Sequence, residues 1–314
     1  MHTADIPIPR AADLSACPVG INPIMWSNDD FQELGGSLPL DRCLADMAAA
    51  GFAGSELGHK YPRSAPELQA VLGRHGLRLV SGWHSTYFAE RSLEAELGSF
   101  DLHLNLLKTA GANVAIVAEC SRRIYDQPDT PLGWGDDRPQ LDDAGWRQLA
   151  DGLREVASRA SATGLRAVYH HHMGTVIQTE GELDRLMEAV PSLGLLFDPG
   201  HLAFAGIDPL AVLDRYGARI AHVHLKNVRP VIVARARAQR WSFRRAVVEG
   251  AFTIAGNGRP PSDGSVNFPA IFARLASLNY RGWLVVEAEE DPVKAPPLEK
   301  ARNARAYVRQ DAGA

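Results

Sequence analysis

The sequence predicts a single α/β domain folded as a closed (β/α)8 barrel, the TIM-barrel architecture. The chain has 314 residues, of which 46% are hydrophobic, and this length is common for one large barrel with one core. Eight short apolar segments alternate with longer segments in which apolar residues recur every three or four positions. An open, doubly wound sheet is the alternative, but no GxGxxG motif follows the first segment, and the count of eight favours closure.

The eight apolar segments are the predicted strands. They are residues 19–26, 52–58, 78–85, 113–120, 166–172, 193–201, 220–226 and 282–289. Helical periodicity predicts helices within 39–51, 92–111, 142–164 and 180–190. Several of these helical patterns end in glycine, which is typical of a helix C-terminus.

The predicted barrel occupies residues 18–314, and residues 1–17 are predicted to be a flexible N-terminal tail. Two connections are long. One is 121–141, and the other is 227–281, between the seventh and eighth predicted strands. Long loops on a compact scaffold tend to cover functional sites.

Composition excludes several classes of protein. The formal net charge of −4 argues against a nucleic acid or an anionic membrane as partner. Three scattered cysteines without CxxC spacing indicate a reducing compartment. We find no secretory signal and no apolar run of membrane-spanning length, so we expect a cytoplasmic protein. The sequence leaves a homo-oligomer open.

Ionisable side chains gather at the ends of the predicted strands, where barrel enzymes carry their catalytic groups. They are Glu56, His84, Glu119, His170, His172, Asp198, His201, His222, His224, Lys226, Glu287 and Glu289. Such groups are costly to bury unless they are paired or bind a metal. Their convergence predicts a divalent-metal site. The ligand set we choose is His170, Asp198, His224 and Glu287, whose nitrogen and oxygen donors suit Mn²⁺, Co²⁺, Mg²⁺, Fe²⁺ or Zn²⁺.

Each of these residues could instead have a purely structural role. Any one histidine is as often a hydrogen-bonded structural residue as a ligand. In the run of three histidines, alternation along a strand turns His171 away from His170 and His172, so we expect His171 to be structural. Trp26, near the end of the first strand, either packs in the barrel or contacts substrate.

Several motifs resemble one known superfamily. The segments FDPGHLAFAG, HVHLKNVRP and GWLVVEAEEDP resemble the xylose-isomerase-like barrel enzymes. The segments VGINPIMWSNDD, GFAGSELGHKYP, YHHHMGT and SFRRAVVEGAFT narrow the resemblance to the myo-inosose-2 dehydratase family. The similarity runs from about residue 19 to about residue 310.

The resemblance implies a metal-dependent lyase. Such an enzyme would use Mn²⁺ or Co²⁺ to remove water from 2-keto-myo-inositol (scyllo-inosose), through a metal-stabilised enolate, in inositol catabolism. It places the metal ligands on His170, Asp198, His224 and Glu287, although many relatives have glutamate at the position of His170.

We assign the remaining roles around that chemistry. Lys226 or Glu289 would take the α-proton, and His201 would protonate the departing hydroxyl or contact the ring. The other predicted substrate contacts are Glu56, His84, Glu119, His172 and Trp26.

Three other functions remain open. A keto-sugar isomerase or epimerase would use the same metal and the same enolate. A nuclease of the endonuclease IV type would need more ligands and basic loops. A non-catalytic sugar-binding barrel would bind ligand without turnover.

Overall fold

The computed structural model describes residues 13–256, 258 and 263–314. The strands are β1 (Val19–Ile21), β2 (Gly54–Leu57), β3 (Arg78–Thr86), β4 (Val114–Glu119), β5 (Arg166–His170), β6 (Gly194–Phe197), β7 (Ile220–Val228), β8 (Phe252–Ile254) and β9 (Leu284–Val286). The helices are α1 (Leu40–Ala49), α2 (Ala65–Gly73), α3 (Leu93–Ala110), α4 (Asp143–Thr163), α5 (Glu180–Ala189), α6 (Pro199–Ala205), α7 (Pro209–Tyr216), α8 (Pro230–Ala238), α9 (Phe243–Val248), α10 (Phe268–Ser277) and α11 (Pro297–Ala312).

Eight parallel strands close into a barrel, which confirms the predicted fold class. The strands β1 to β7 pair in order, and β9 lies between β7 and β1. The β6–β7 pairing completes the ring. Helices cover the outside, so the C-terminal ends of all eight barrel strands point to one face.

One strand, β8, was not predicted from the sequence pattern. Strand β8 pairs antiparallel with the far end of β7, with Lys226 opposite Ile254 and Val228 opposite Phe252. It lies in the long connection 227–281, together with α8, α9 and α10. This hairpin extends β7 beyond its pairing with β9, which ends at Leu225.

Two predicted strands end earlier than expected. The chain after β1 enters a 3₁₀ turn at Pro23–Met25. The sixth strand ends at Phe197, because Asp198 caps the N-terminus of α6 and Pro199 occupies its first turn. Proline at that position is compatible with a helix start but not with a continuing strand.

A β-bulge in β3 changes which of its side chains face the barrel interior. Ser55 pairs with Leu79, but Leu57 pairs with Gly82, so β3 advances three residues while β2 advances two. Such a bulge reverses the alternation of side chains beyond it. Trp83 consequently faces the interior and His84 faces outward.

The described part of the predicted N-terminal tail is packed. Residues 1–12 lie outside the described residues. Leu14 and Cys17 are buried, and the backbone N–H of Leu14 donates to the carbonyl of Ala312 at 2.9 Å. The ordered body therefore begins before the predicted boundary at residue 18, on the C-terminal helix α11.

Apolar side chains fill the barrel below the face that carries the ionisable groups. One layer consists of Val114, Ile116, Val168 and Leu196. Another contains Val80, Trp283 and Val285. The three cysteines are free and buried. Within the described ranges, no helix has the length and apolar character needed to cross a membrane.

Candidate functional site

A cavity opens at the C-terminal ends of the strands. Polar and apolar side chains line opposite parts of it. The lining residues are Asn22, Ile24, Asp29, Asp30, Glu56, Leu57, Trp83, Ile116, Tyr125, His170, His172, His224, Glu287 and Glu289. Barrel enzymes place their active sites at this face, so this cavity is the candidate active site.

The four residues chosen as metal ligands from the sequence lie close together, and three of them, His170, His224 and Glu287, line the cavity. His170 Nε2 is 3.6 Å from Asp198 Oδ2, and His224 Nδ1 is 3.4 Å from the same oxygen. Glu287 Oε2 is 2.5 Å from His224 Nδ1. His170, Asp198 and His224 each offer one donor atom within 4.8 Å of the others.

The two carboxylate oxygens of Asp198 differ, and one of them is available to bind a cation. Its Oδ1 accepts a hydrogen bond from the backbone N–H of His201 at 2.9 Å, which is the cap of α6. Its Oδ2 is buried and has no hydrogen-bond partner among the described residues. A buried carboxylate oxygen without a donor is costly. Two imidazoles and two carboxylates without a thiolate therefore fit a divalent cation of intermediate hardness.

Glu56 lines the cavity, but its carboxylate is already fully engaged. Oε1 accepts from Ser81 Oγ at 2.6 Å and faces His222 Nε2 at 2.8 Å. Oε2 accepts from Asn22 Nδ2 at 2.7 Å, and His224 Nε2 lies 3.2 Å from the carboxylate. Burial opposes ionisation, but His224 and His222 outweigh it and hold the pKa of Glu56 well below its usual range. The predicted substrate contact is thus a carboxylate directed at His224.

A second cluster surrounds Lys226 behind the cavity wall. Its Nζ lies 2.5 Å from Glu287 Oε1, 2.8 Å from Glu289 Oε1 and 2.9 Å from His201 Nε2. Burial lowers the pKa of this ammonium, but Glu287, Glu289 and Asp198 outweigh that effect and raise it. All three N–H bonds of Lys226 are thereby directed to neighbours within the protein.

His201 is buried and does not line the cavity. It accepts from Lys226, and its pKa is lowered by burial and then by the Lys226 charge. His201 therefore lies behind residues that line the cavity, with its Nε2 3.3 Å from Glu289 Oε1 and its ring 4.2 Å from that of His172. This is not the position expected for a group that contacts a leaving hydroxyl.

The three consecutive histidines divide as the strand alternation predicts. His172 lines the cavity, with its ring 4.5 Å from Tyr125 and 4.2 Å from His201. His171 points the other way, and its Nε2–H donates to the carbonyl of Gln178 at 2.6 Å. Burial lowers the pKa of His171 to about 4, which is the behaviour of a neutral structural histidine.

Three other predicted substrate contacts lie away from the cavity. His84 packs outward on α3, with ring centroids 5.4 Å from Phe100 and 5.2 Å from His103, because the bulge in β3 reverses its orientation. Trp26 donates through Nε1 to Asp46 of α1 at 3.1 Å, because the 3₁₀ turn redirects the chain after β1.

Glu119 is the third of these. Ile116 faces the barrel interior, so Glu119, three residues later, faces the opposite side of β4. Its carboxylate accepts from Thr86 Oγ1 at 2.9 Å and from the backbone N–H groups of Phe88 and Ser121, each at 3.2 Å. Glu119 therefore anchors the loop that follows β3.

Four polar cavity residues were not among the candidates chosen from the sequence. They are Asn22, Asp29, Asp30 and Tyr125. Asp29 and Asp30 belong to the NDD run that supported the family resemblance, which is the signal that could have identified them.

Comparisons with known proteins agree with this architecture. A family model described as xylose isomerase-like TIM barrel matches residues 44–311. The rhizopine catabolism protein MocC of Rhizobium meliloti is 44% identical over 303 residues, covering 96% of this chain and 90% of MocC. The inosose dehydratase of Bacillus thuringiensis (strain Al Hakam) is 42% identical over 297 residues, covering 94% of this chain and 97% of the enzyme.

Among solved structures, L-ribulose 3-epimerase superposes with a TM-score of 0.66 at 16% identity, covering 95% of each chain. At that identity the likeness concerns the fold alone. The matches to the family model and to the two relatives span nearly the whole chain. The chain therefore belongs to the xylose isomerase-like TIM-barrel family, in the group that contains MocC and the inosose dehydratases.

Proposed function

We propose that the protein is a hydro-lyase that removes water from 2-keto-myo-inositol (scyllo-inosose) in inositol catabolism in the cytoplasm. The observation that carries the proposal is the 42% identity with inosose dehydratases over 94% of this chain. The cavity supports it, since carboxylates and imidazoles from several strands converge there beside open space.

His170, Asp198, His224 and Glu287 would hold the cation, and we favour Mn²⁺ or Co²⁺. A bound divalent cation would supply Lewis acidity, which polarises the substrate ketone and stabilises the charge that develops when the α C–H bond ionises. The rest of the reaction depends on groups that accept and donate protons around the ring.

Of the two predicted bases, Glu289 is better placed than Lys226. Glu289 lines the cavity, and its Oε2 is buried without a hydrogen-bond partner among the residues described. Lys226 directs its three N–H bonds to Glu287, Glu289 and His201. We therefore assign Glu289 to take the α-proton and Lys226 to hold Glu289 and Glu287 in position.

The cavity walls suit a cyclic polyol. Asn22, Asp29 and His172 offer polar groups toward the ring's hydroxyls. Trp83, with its ring 5.3 Å from that of His170, and Ile116 offer apolar surface to the C–H faces. A site that hydrogen-bonds several hydroxyls rejects analogues that lack one, because buried polar groups are left unpaired.

The experiment that tests the function measures the product mass. Protein supplied with Mn²⁺ and scyllo-inosose should yield a product lighter by one water. A product of unchanged mass would instead indicate an isomerase or epimerase, since reprotonation would then replace elimination. No conversion of any cyclic or open-chain keto-sugar, with ligand still bound, would indicate a binding protein.

A further inference from the structure

The carboxyl groups that line the cavity differ in how they are held. Glu56, Glu287 and Glu289 are bound by Asn22, Lys226 and the neighbouring histidines. Asp29 Oδ1 lies 2.6 Å from His59 Nδ1 and accepts from the His59 backbone N–H at 3.0 Å. The carboxyl of Asp30 makes no hydrogen bond or ion pair with any residue of the described ranges, although it lies in the same wall.

The backbone of Asp30 is nevertheless fixed. Asn28 is buried, and its Oδ1 accepts from the backbone N–H groups of Asp30 at 2.8 Å and of Phe31 at 2.7 Å. This side-chain-to-backbone turn holds the peptide at the cavity edge. The fold thus presents an acid whose main chain is rigid and whose carboxyl is free to contact a ligand.

Elimination of water needs such a group. The electrons of the broken α C–H bond form the C=C bond, the β C–O bond breaks, and the departing hydroxide must receive a proton to leave as water. His201 does not reach the cavity, and Glu289 is assigned to the α-proton. We propose that Asp30 is the general acid that protonates the departing hydroxyl, an assignment that rests on the dehydratase function proposed above.

In this step Asp30 becomes a carboxylate and Glu289 holds the α-proton; between turnovers Glu289 releases that proton to solvent and Asp30 takes one up from solvent. The enol that forms then becomes the ketone, so the sum is substrate to dione plus one water. Glu289 would act on the α C–H bond and Asp30 on the β C–O bond.

The surroundings of Asp30 favour its protonated form. Burial raises its pKa well above the usual range, and the charges of Glu289, Asp29 and Asp126 raise it further, while Arg123 opposes them. These groups come from the segment after β9, from the Asp30 segment itself and from the loop after β4. A raised pKa favours the protonated form of the carboxyl, which is the form that can donate a proton.

The test separates proton abstraction from elimination. The Asp30→Asn enzyme, with Mn²⁺ and scyllo-inosose in D₂O, is followed by NMR for α-deuterium incorporation and by mass for loss of water. We expect dehydration to fall on the order of 10²- to 10⁴-fold, the usual contribution of a general acid, while α-deuterium is still incorporated. An analogue with fluorine in place of the leaving hydroxyl should be eliminated by the variant at close to the wild-type rate, since fluoride leaves without a proton.

Glu33→Gln is the matched control, because Glu33 is an exposed acid of the same segment, paired with Arg244 outside the cavity. It should keep wild-type dehydration. Asp30→Asn should keep the wild-type Tm, because the lost carboxyl has no partner within the described structure. Dehydration within threefold of wild type, or equal loss of exchange and dehydration with no fluoride rescue, would overturn the role of Asp30. Failure of the wild-type protein to release water would instead overturn the proposed function itself.

Discussion

Glu56 and His224 face each other across the barrel, with His224 Nε2 3.2 Å from the carboxylate, while His224 Nδ1 is turned toward Asp198 and Glu287. A carboxylate on one ring nitrogen fixes the tautomer and leaves the other nitrogen's lone pair for a cation. Asn22, Ser81 and His222 hold Glu56 in turn. We therefore propose that Glu56 is a positioning residue for the proposed metal site.

The main effect of replacing Glu56 should be weaker binding of the metal ion. Glu56→Gln preserves the shape but not the charge, and loss of such an outer partner typically costs 10- to 100-fold in metal affinity. Calorimetric titration of metal-stripped protein with Mn²⁺ measures the effect, and the exposed Glu67→Gln on α2 serves as control. Unchanged Mn²⁺ affinity in Glu56→Gln, together with a raised KM, would instead make Glu56 a substrate contact.

Glu289 and Lys226 should be distinguishable by proton exchange. Glu289→Gln should abolish α-deuterium incorporation into scyllo-inosose as well as dehydration, because both depend on removal of the α-proton. Lys226→Met should reduce both rates and retain measurable exchange, since Lys226 holds the base without accepting the proton. Retention of exchange by Glu289→Gln and its complete loss in Lys226→Met would reverse the assignment.

His84 should matter for stability and not for catalysis. Burial lowers the pKa of His84 to about 4, and His103, its neighbour, also lowers it. In the unfolded chain the pKa is near 6.5, so the unfolded state binds the proton first. Stability is therefore full above pH 6.5 and falls as the pH decreases from about 6.5 to 4.

The variant His84→Leu tests this directly. Between about pH 6 and 4.5, the unfolding free energy of this variant should depend on pH less steeply than that of the wild type, and the difference in slope should correspond to at most about one bound proton. Its kcat/KM should stay within about twofold of wild type. Urea unfolding across that pH range measures the slope. A large loss of activity in a folded His84→Leu protein would contradict the outward position of His84.

The four proposed metal ligands lie together, as the strand-end rule predicts, because each of them lies in a barrel strand or directly follows one. His170 and His224 lie within or at the end of β5 and β7, and Asp198 and Glu287 follow β6 and β9 directly. At such positions the period of two and the direction of the strands determine where a side chain points. The resemblance to the dehydratase family pointed to the same four residues.

The rule failed where the backbone is irregular. His84 follows a bulge and Trp26 follows a 3₁₀ turn, and neither irregularity has a reliable signature in a single sequence. Asp30 contributes from a loop, where no periodicity predicts side-chain direction. Strand β8 was missed because three residues of a hairpin, Phe252–Ile254, resemble any short apolar stretch.

The most direct test of the proposed function starts from metal-stripped protein to which Mn²⁺ is added back, with scyllo-inosose as substrate. Formation of the dione is followed by ultraviolet absorbance and by product mass. We expect a product lighter by one water, formed only with metal, and loss of both turnover and Mn²⁺ binding in His170→Ala and Asp198→Ala. His171→Asn, which alters the histidine that faces Gln178, should still bind Mn²⁺. Turnover in metal-free protein, or full activity in His170→Ala and Asp198→Ala, would contradict the account.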